Sequence, residues 1–246
     1  MMETFHIYIH IGLGKTGTTA IQKTLTTNHS LLLKKGFFYV GRVFEHLGND
    51  MLNPMDYYKL LLDMSDTEAL SNLNENFEHC FRYCNNLQIH NILWSWEALA
   101  NNLVNISEKL KIVLQPHYAK IIVYLRRQDK WIESAYYQWG VKHKTNEGPV
   151  LTFDAFLNRK LENGILDYYE TILPWAKAFG KENIIVRLYE QEQLREGIFV
   201  DFFQTLGLQL DSEFKLPENP VYQSFNHDVS EMIKIYNSIF KENHYP

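Results

Sequence analysis

Long apolar runs are missing from this sequence: none approaches the roughly 18 residues that a membrane-crossing helix requires. The N-terminus enters an apolar, β-favouring stretch at once. No basic region leads into a signal-peptide core, so secretion is not expected. Cysteine is scarce. The two in 246 residues, Cys80 and Cys84, stand four apart within NENFEHCFRYCNNL, on one face of a helix with His79 beside them. A zinc site needs more ligands than that, and a disulfide inside one helix is sterically poor. Two buried thiols are expected. Positive charge is not in excess either. A formal net charge of −5 and a pI of about 6.1 give no global basic field for nucleic acid, although local Lys and Arg can serve a small polyanion. Internal repeats and low-complexity tracts are absent.

What is present is concentrated in IYIHIGLGKTGTTAIQ, Ile7 to Gln22. An apolar strand pattern (Phe5, Ile7, Tyr8, Ile9, Ile11) stops at Gly12. A loop with Gly14, Lys15, Thr16, Gly17, Thr18 and Thr19 follows, and a helical pattern begins at Ala20. Strand, glycine loop and helix hold phosphate-like anions, through exposed backbone N–H groups and the positive end of the helix dipole. Lys15 adds a full charge and the threonines add hydroxyl donors. The Walker A pattern GxxxxGK[ST] fits only at Gly14-Lys15-Thr16, because its first glycine falls on Ile9 inside the strand. The loop is too short to wrap a β-phosphate in that manner. Strand-end G-x-x-K-T-G-T-T instead resembles the 5′-phosphosulfate loop of the sulfotransferases, which take 3′-phosphoadenosine 5′-phosphosulfate (PAPS) as donor.

A second segment carries the resemblance further. KIIVYL, 120–125, reads as a buried parallel strand. Arg126-Arg127 closes it, and QDKWIESAYYQWGVKH follows with helical spacing of Trp131, Ala135 and Trp139. Arg126, Ser134 and Tyr136 reproduce the R-x7-S-x-Y arrangement with which sulfotransferases grip the 3′-phosphate of PAPS. A strand-end arginine and a serine about two turns into the next helix can converge on one phosphate. In a third region, the strand NIIVRLYE, 183–190, precedes GIFVDFFQTLGL, and the pair resembles the family's Tyr-Glu strand end and its Phe-x-x-x-Leu-Gly helix. By that resemblance Tyr189 is a cofactor contact; otherwise it is a half-buried strand tyrosine. Arg187 shares its face and either approaches the nucleotide or pairs with an acidic neighbour.

The chain also departs from the family pattern. Gln128 replaces a common proline, and Ala20-Ile21 replaces the aromatic that stacks on adenine. A basic, glycine-containing loop closing over the 3′-phosphate has no clear equivalent after Leu208. By the first two departures the chain resembles the bacterial, carbohydrate-directed branch. The resemblance implies PAPS as cofactor, PAP as product, no required metal, a small-molecule or saccharide acceptor and a cytoplasmic location, where bacteria make PAPS. Nothing in the sequence specifies an oligomeric state.

Hydrophobic content of 46% and aromatic content of 14% can fill one core. Strands are expected at 5–11, 37–40, 91–95, 120–125 and 183–189. Helices are expected at 17–33, 55–63, 67–86, 107–116, 129–143, 153–162, 168–179, 191–206 and 228–241, with loops at 144–152 and 211–227. Strands separated by helical stretches imply parallel crossovers. The expectation is therefore an α/β, P-loop-like three-layer fold, a central parallel sheet flanked by helices, in one sulfotransferase-like domain over 1–246. Both phosphate sites then lie at carboxyl ends of strands, where open α/β sheets bind ligands.

Sulfuryl transfer needs in-line positioning and charge stabilisation. Lys15 can neutralise charge growing on the leaving phosphate oxygen. No Asp ends NILWSW or KIIVYL to serve as a Walker B magnesium ligand. An acceptor hydroxyl benefits from a base. Glu97, just after the strand 91–95, stands where the family's strand can end in a catalytic His or Glu; otherwise it is a helix-start glutamate favoured by the dipole. His46, in VFEHLGND, is the second candidate. His10, inside the first strand, is expected in a core hydrogen bond. Trp94, Trp96, Trp131, Trp139, Tyr57 and Tyr58 can stack on sugars or fill the core. Two other functions remain open: a P-loop kinase using ATP and magnesium, and a non-catalytic nucleotide- or glycan-binding module.

Overall fold

The computed structural model describes residues 3–48, 53–217 and 227–239. They fall into two compact units, one comprising 1–125 and 169–218, the other 126–168 and 219–246.

The first unit is built on five parallel strands: β1 (His6–His10), β2 (Phe37–Tyr39), β3 (Asn91–Ser95), β4 (Tyr118–Leu125) and β5 (Ile184–Leu188), in the order β2-β3-β1-β4-β5. Period-two alternation gives the sheet two faces. Tyr8, Leu93, Ile122 and Tyr124 lie on one face, where they join Ile21 and Leu25 of helix α1 (Thr18–Thr27) and Phe202 and Phe203 in a single core. The other face meets a long helix, where Trp94 packs on Phe77 and Phe5 stacks on Phe81. Parallel strands buried on both faces account for the near-continuous apolar runs IYI, ILW and IIVYL. The α/β fold, with a parallel sheet flanked by helices, is as the sequence implies.

Because β1 lies between β3 and β4, the chain after β1 leaves to one side of the sheet and later crosses to the other. The end of β1 is thus a topological switch point, where ligands bind in open α/β sheets.

Helix boundaries differ from the sequence reading in three places. The expected helix 17–33 breaks into α1 and α2 (His29–Lys34) at Asn28. The Asn28 amide donates to Thr24 O and Lys215 O, and its oxygen accepts from Lys215 N–H, so a distant segment fixes the kink. Next in order are α3 (Pro54–Asp63), α4 (Asp66–Leu87), which carries Phe77 and Phe81, and α5 (Ile106–Val113). The expected helix 191–206 is helical only from Ile198, after Gly197 at φ 90. The helix expected at 129–143 is α6 (Gln128–Ala135) followed by a π-helical turn, Tyr136–Lys142.

The second unit holds α6, that turn, α7 (Phe153–Glu162) and a C-terminal helix. Trp131, Ile132, Ala135, Tyr136, Val141 and Phe156 form its core. At Gly140 a Cβ would stand 2.9 Å from the Tyr136 ring, so only glycine fits the π turn there. Helix α8 (Tyr168–Phe179) leads back to β5, α9 (Ile198–Thr205) carries Phe202 and Phe203, and α10 (His227–Ser238) is the C-terminal helix of the second unit. Asn237 of α10 donates its amide to Val141 O at 2.5 Å. The expected helix residues 240–241 and most of the expected loop 211–227, from 218 to 226, lie outside the described residues.

Cys80 and Cys84 are buried free thiols on α4. No described helix is long and apolar enough to cross a membrane.

Candidate functional site

The loop after β1 takes positive φ at Gly12 (φ 23), Lys15 (φ 68) and Gly17 (φ 79). Gly17 is the N-cap of α1, so that position supplies no side-chain oxygen, and the first turn holds no acidic residue. The first intrahelical bond runs from Ile21 N–H to Gly17 O. The N–H groups of Thr18, Thr19 and Ala20 therefore have no acceptor within the helix. A helix start with open donors, no competing carboxylate and a lysine two residues before its cap fits an oxyanion of phosphate or sulfate type.

The threonines divide. Thr16 and Thr18 are buried, and both hydroxyls donate inward to Leu13 O, at 2.5 and 3.2 Å. In this structure both hydroxyls brace the loop. Thr19 is half-buried with Gly14 and Lys15. Gly17 cannot be enlarged: a Cβ there would lie 2.5 Å from Ile198 Cδ1 and 3.0 Å from Tyr189 Cε2. Tyr189 thus stands against the loop's last glycine. Arg187, on the same face of β5, is committed elsewhere. It forms a bidentate pair with the buried Asp201, which also accepts from Tyr124 OH at 2.5 Å. The acidic neighbour is the partner the structure selects.

Beside the loop, β3 ends at Ser95 and leads into a 3-10 turn, Glu97–Asn101. Glu97 is exposed. Its Oε2 accepts at 2.7 Å from Nε2 of Gln22, a residue of α1, and the same nitrogen reaches Ser95 O at 3.2 Å. His10 is fully buried and bonds Ser95 Oγ through Nδ1 at 2.8 Å, the core hydrogen bond expected of it. Burial pushes its imidazole down to about 3, so it stays neutral.

His46 follows β2 in a 3-10 turn, Glu45–Leu47. It stacks on His29, with ring centroids 4.1 Å apart, and lies 5.5 Å from the Tyr39 ring. Burial and then the neighbouring His46 hold His29 down at about 4. Tyr39 is pushed up by burial first, and by the negative charges of Glu45 and Glu97. His46 therefore stands beside Tyr39, at the carboxyl end of β2.

Arg126 and Ser134 belong to the second unit. Arg126 is the residue after β4, half-buried, its carbonyl accepting from Tyr168 OH at 2.6 Å. Ser134 lies in the second turn of α6, also half-buried.

Of the aromatics, Trp94, Trp96, Trp131 and Tyr57 are core residues. Gln22 closes the loop segment in sequence but carries no site role in the sequence pattern. Its signal is a polar residue inside the buried stripe Thr18, Ile21, Leu25 of α1. Among the described residues, no group of three or more His, Cys, Asp or Glu side chains is arranged to hold a metal ion.

No family model matches the chain. Over 129 residues it is 36% identical to an uncharacterised protein of Archaeoglobus fulgidus; the match covers 51% of this chain and only 33% of that relative. Among solved structures it resembles a sulfotransferase from Alicyclobacillus acidocaldarius, with a TM-score of 0.50 at 15% identity, covering 94% of this chain and 91% of that one. Retinol dehydratase, solved with androsterone and the inactive cofactor PAP, gives a TM-score of 0.37 at 15% identity over 87% of this chain and 63% of that one. The first of these likenesses establishes a sulfotransferase-type fold.

Proposed function

We propose that the chain is a PAPS-dependent sulfotransferase of the bacterial, carbohydrate-directed kind, acting in the cytoplasm as a single sulfotransferase-like domain over 1–246 and needing no metal. The observation that carries this reading is the open N-terminus of α1 at the switch point, with Lys15 before it and no acidic residue in its first turn. The sulfotransferase-type fold supports it.

Under this reading the donor brings an activated sulfuryl group. Gly14, Lys15, Gly17 and Thr19 hold its 5′ end through backbone N–H groups and the lysine charge, on a loop braced by Thr16 and Thr18. Lys15 stabilises the negative charge that develops on the departing phosphate oxygen. Tyr189 borders the nucleotide. Arg126 and Ser134 take the 3′-phosphate, as the R-x7-S-x-Y resemblance implies. Glu97 removes the proton from an acceptor hydroxyl, on a saccharide or glycolipid, and His46 is the second candidate for that role.

Thermal denaturation with PAP, with ATP and magnesium, and with buffer tests the donor. PAP without metal should stabilise the fold, by roughly 2.7 kcal/mol at about a hundred times its dissociation constant. Equal affinity for ATP would favour a kinase instead. Arg126→Ala and Ser134→Ala should weaken PAP binding in calorimetry while leaving unfolding cooperative. Glu97→Gln should lower transfer of labelled sulfate by ~10²–10⁴ with PAP affinity kept; normal turnover there with collapse of His46→Ala would move the base to His46.

A further inference from the structure

We infer that Gln22 is a positioning residue, which aims the Glu97 carboxylate from the helix that carries the phosphate loop. The inference rests on the reading of Glu97 as the base. Gln22 lies five residues after Gly17, about 7.5 Å down the axis of α1, and is 6% exposed. Its Nε2 donates to Glu97 Oε2 at 2.7 Å and to Ser95 O at 3.2 Å.

Both partners are acceptors, so the amide has one permitted orientation: a flip would set its own oxygen against a carboxylate and a carbonyl. The carbonyl acceptor is itself fixed. Ser95 ends β3 and its side chain is held by His10 of β1, both fully buried. Packing alone does not call for an amide here, since Ile21 and Leu25 show that the same stripe accepts apolar side chains. A buried amide is retained at a desolvation cost that its hydrogen bonds offset.

The consequence is geometric. Glu97 is exposed and would otherwise sample several rotamers. With Oε2 taken by Gln22, Oε1 is the oxygen that meets the acceptor. One rigid helix then carries both the anion-binding N-terminus and the donor that aims the base, so the two ends of the transfer keep a fixed separation.

The test uses Gln22→Met, which keeps length and burial without donors, Gln22→Glu, and Glu97→Ala. The first readout needs no turnover. In a nitrogen-15 spectrum of the native chain, the Gln22 side-chain amide, assigned by its loss in Gln22→Met, should exchange slowly with solvent, and one of its two protons should move in Glu97→Ala. An amide that exchanges like those of exposed glutamines overturns the inference. The second readout is desulfation of PAPS by water. The water oxygen bonds to sulfur as the bond from sulfur to the phosphate oxygen breaks, and the proton passes to Glu97. Gln22→Met should slow this about tenfold, as expected for one lost hydrogen bond to a charged group, with PAP affinity unchanged. In Gln22→Glu, two carboxylates at hydrogen-bond distance hold one proton between them, so the acid limb of the pH–rate profile should move to higher pH. A purely structural role moves no such limb.

If Glu97→Ala desulfates PAPS like the native chain, or the native chain does not desulfate it, the reading of Glu97 fails and this inference with it. If Glu97→Ala is slow while both Gln22 variants match the native rate and profile, the positioning role alone is overturned. An equal loss from Gln22→Met in the native and Glu97→Ala backgrounds overturns it too.

Discussion

Two helix starts in the first unit are built on opposite principles. Helix α4 begins at Ser65 with a full capping box: Glu68 N–H donates to Ser65 Oγ, and Glu68 Oε2 accepts from Ser65 N–H at 2.8 Å. Asp66 and Glu68 add negative charge to its first turn. Two donors of that helix end are answered within four residues. Helix α1 begins at Gly17 with no cap, no acidic residue and a left-handed backbone turn before it. Glycine in place of a capping side chain costs roughly a few tenths of a kcal/mol, and Lys15 at positive φ adds to that. At α1 those costs fall at the switch point of the sheet. A helix end whose needs are met by its own sequence stabilises the fold; one left open is available to a ligand.

The contrast can be broken most sharply at Lys15. Lys15→Ala should lower sulfuryl transfer ~10²–10³-fold, the effect of removing one group that stabilises developing charge, with little change in unfolding free energy. A stopped-flow or radiolabel assay with PAPS reads it; a loss confined to stability would place Lys15 with the structural groups.

His10 belongs to neither class cleanly, because Nδ1 is bonded to Ser95 while Nε2 is buried with no hydrogen-bond partner among the described residues. The unfolded imidazole takes up a proton near pH 6.5, but the folded one only at about 3. Between those values the unfolded state binds more protons. Stability should therefore be full above about pH 6.5 and fall by about 1.4 kcal/mol for each pH unit below it. Denaturant titrations of the native chain and His10→Asn compare the slopes, and His10→Asn should be flatter. Identical slopes would mean that His10 titrates normally.

Next in size is Gly17→Ala. Its Cβ meets Ile198 and Tyr189 at positive φ, so the fold should lose about 2 kcal/mol, and the stabilisation by PAP should shrink with it. Retained PAP stabilisation would move the anion away from this helix start. The smallest effect is expected at the closed start. Ser65→Ala should cost about 1 kcal/mol and leave PAP binding alone, measured by calorimetry on the same preparations.

The difference between the two helix starts was readable in different degrees. The α4 cap is a short-range pattern, Ser-x-x-Glu. The glycine loop was readable for the same reason: strand run, glycine, lysine and helix onset are local in sequence. The inner strands could be placed because burial on both faces leaves continuous apolar runs, and β5, half-exposed at the sheet edge, through its β-branched run. Gln22 was not readable as a partner of Glu97, since nothing local links residues 75 positions apart. The inward turn of the Thr16 and Thr18 hydroxyls depends on loop dihedrals that a residue list does not carry.

By itself, then, the sequence determined the parallel α/β architecture, the phosphate-type loop after β1 and the residues at its edge, because these follow from periodicity, glycine freedom and charge over a few neighbours. The tertiary structure alone decided the break at Asn28, made by Lys215 from 187 positions away. It also decided the partner of Arg187 and the grip of Gln22 on Glu97. Each of these depends on which distant groups the packed sheet brings within hydrogen-bonding distance, and intrinsic preferences of a few tenths of a kcal/mol per residue yield to such contacts.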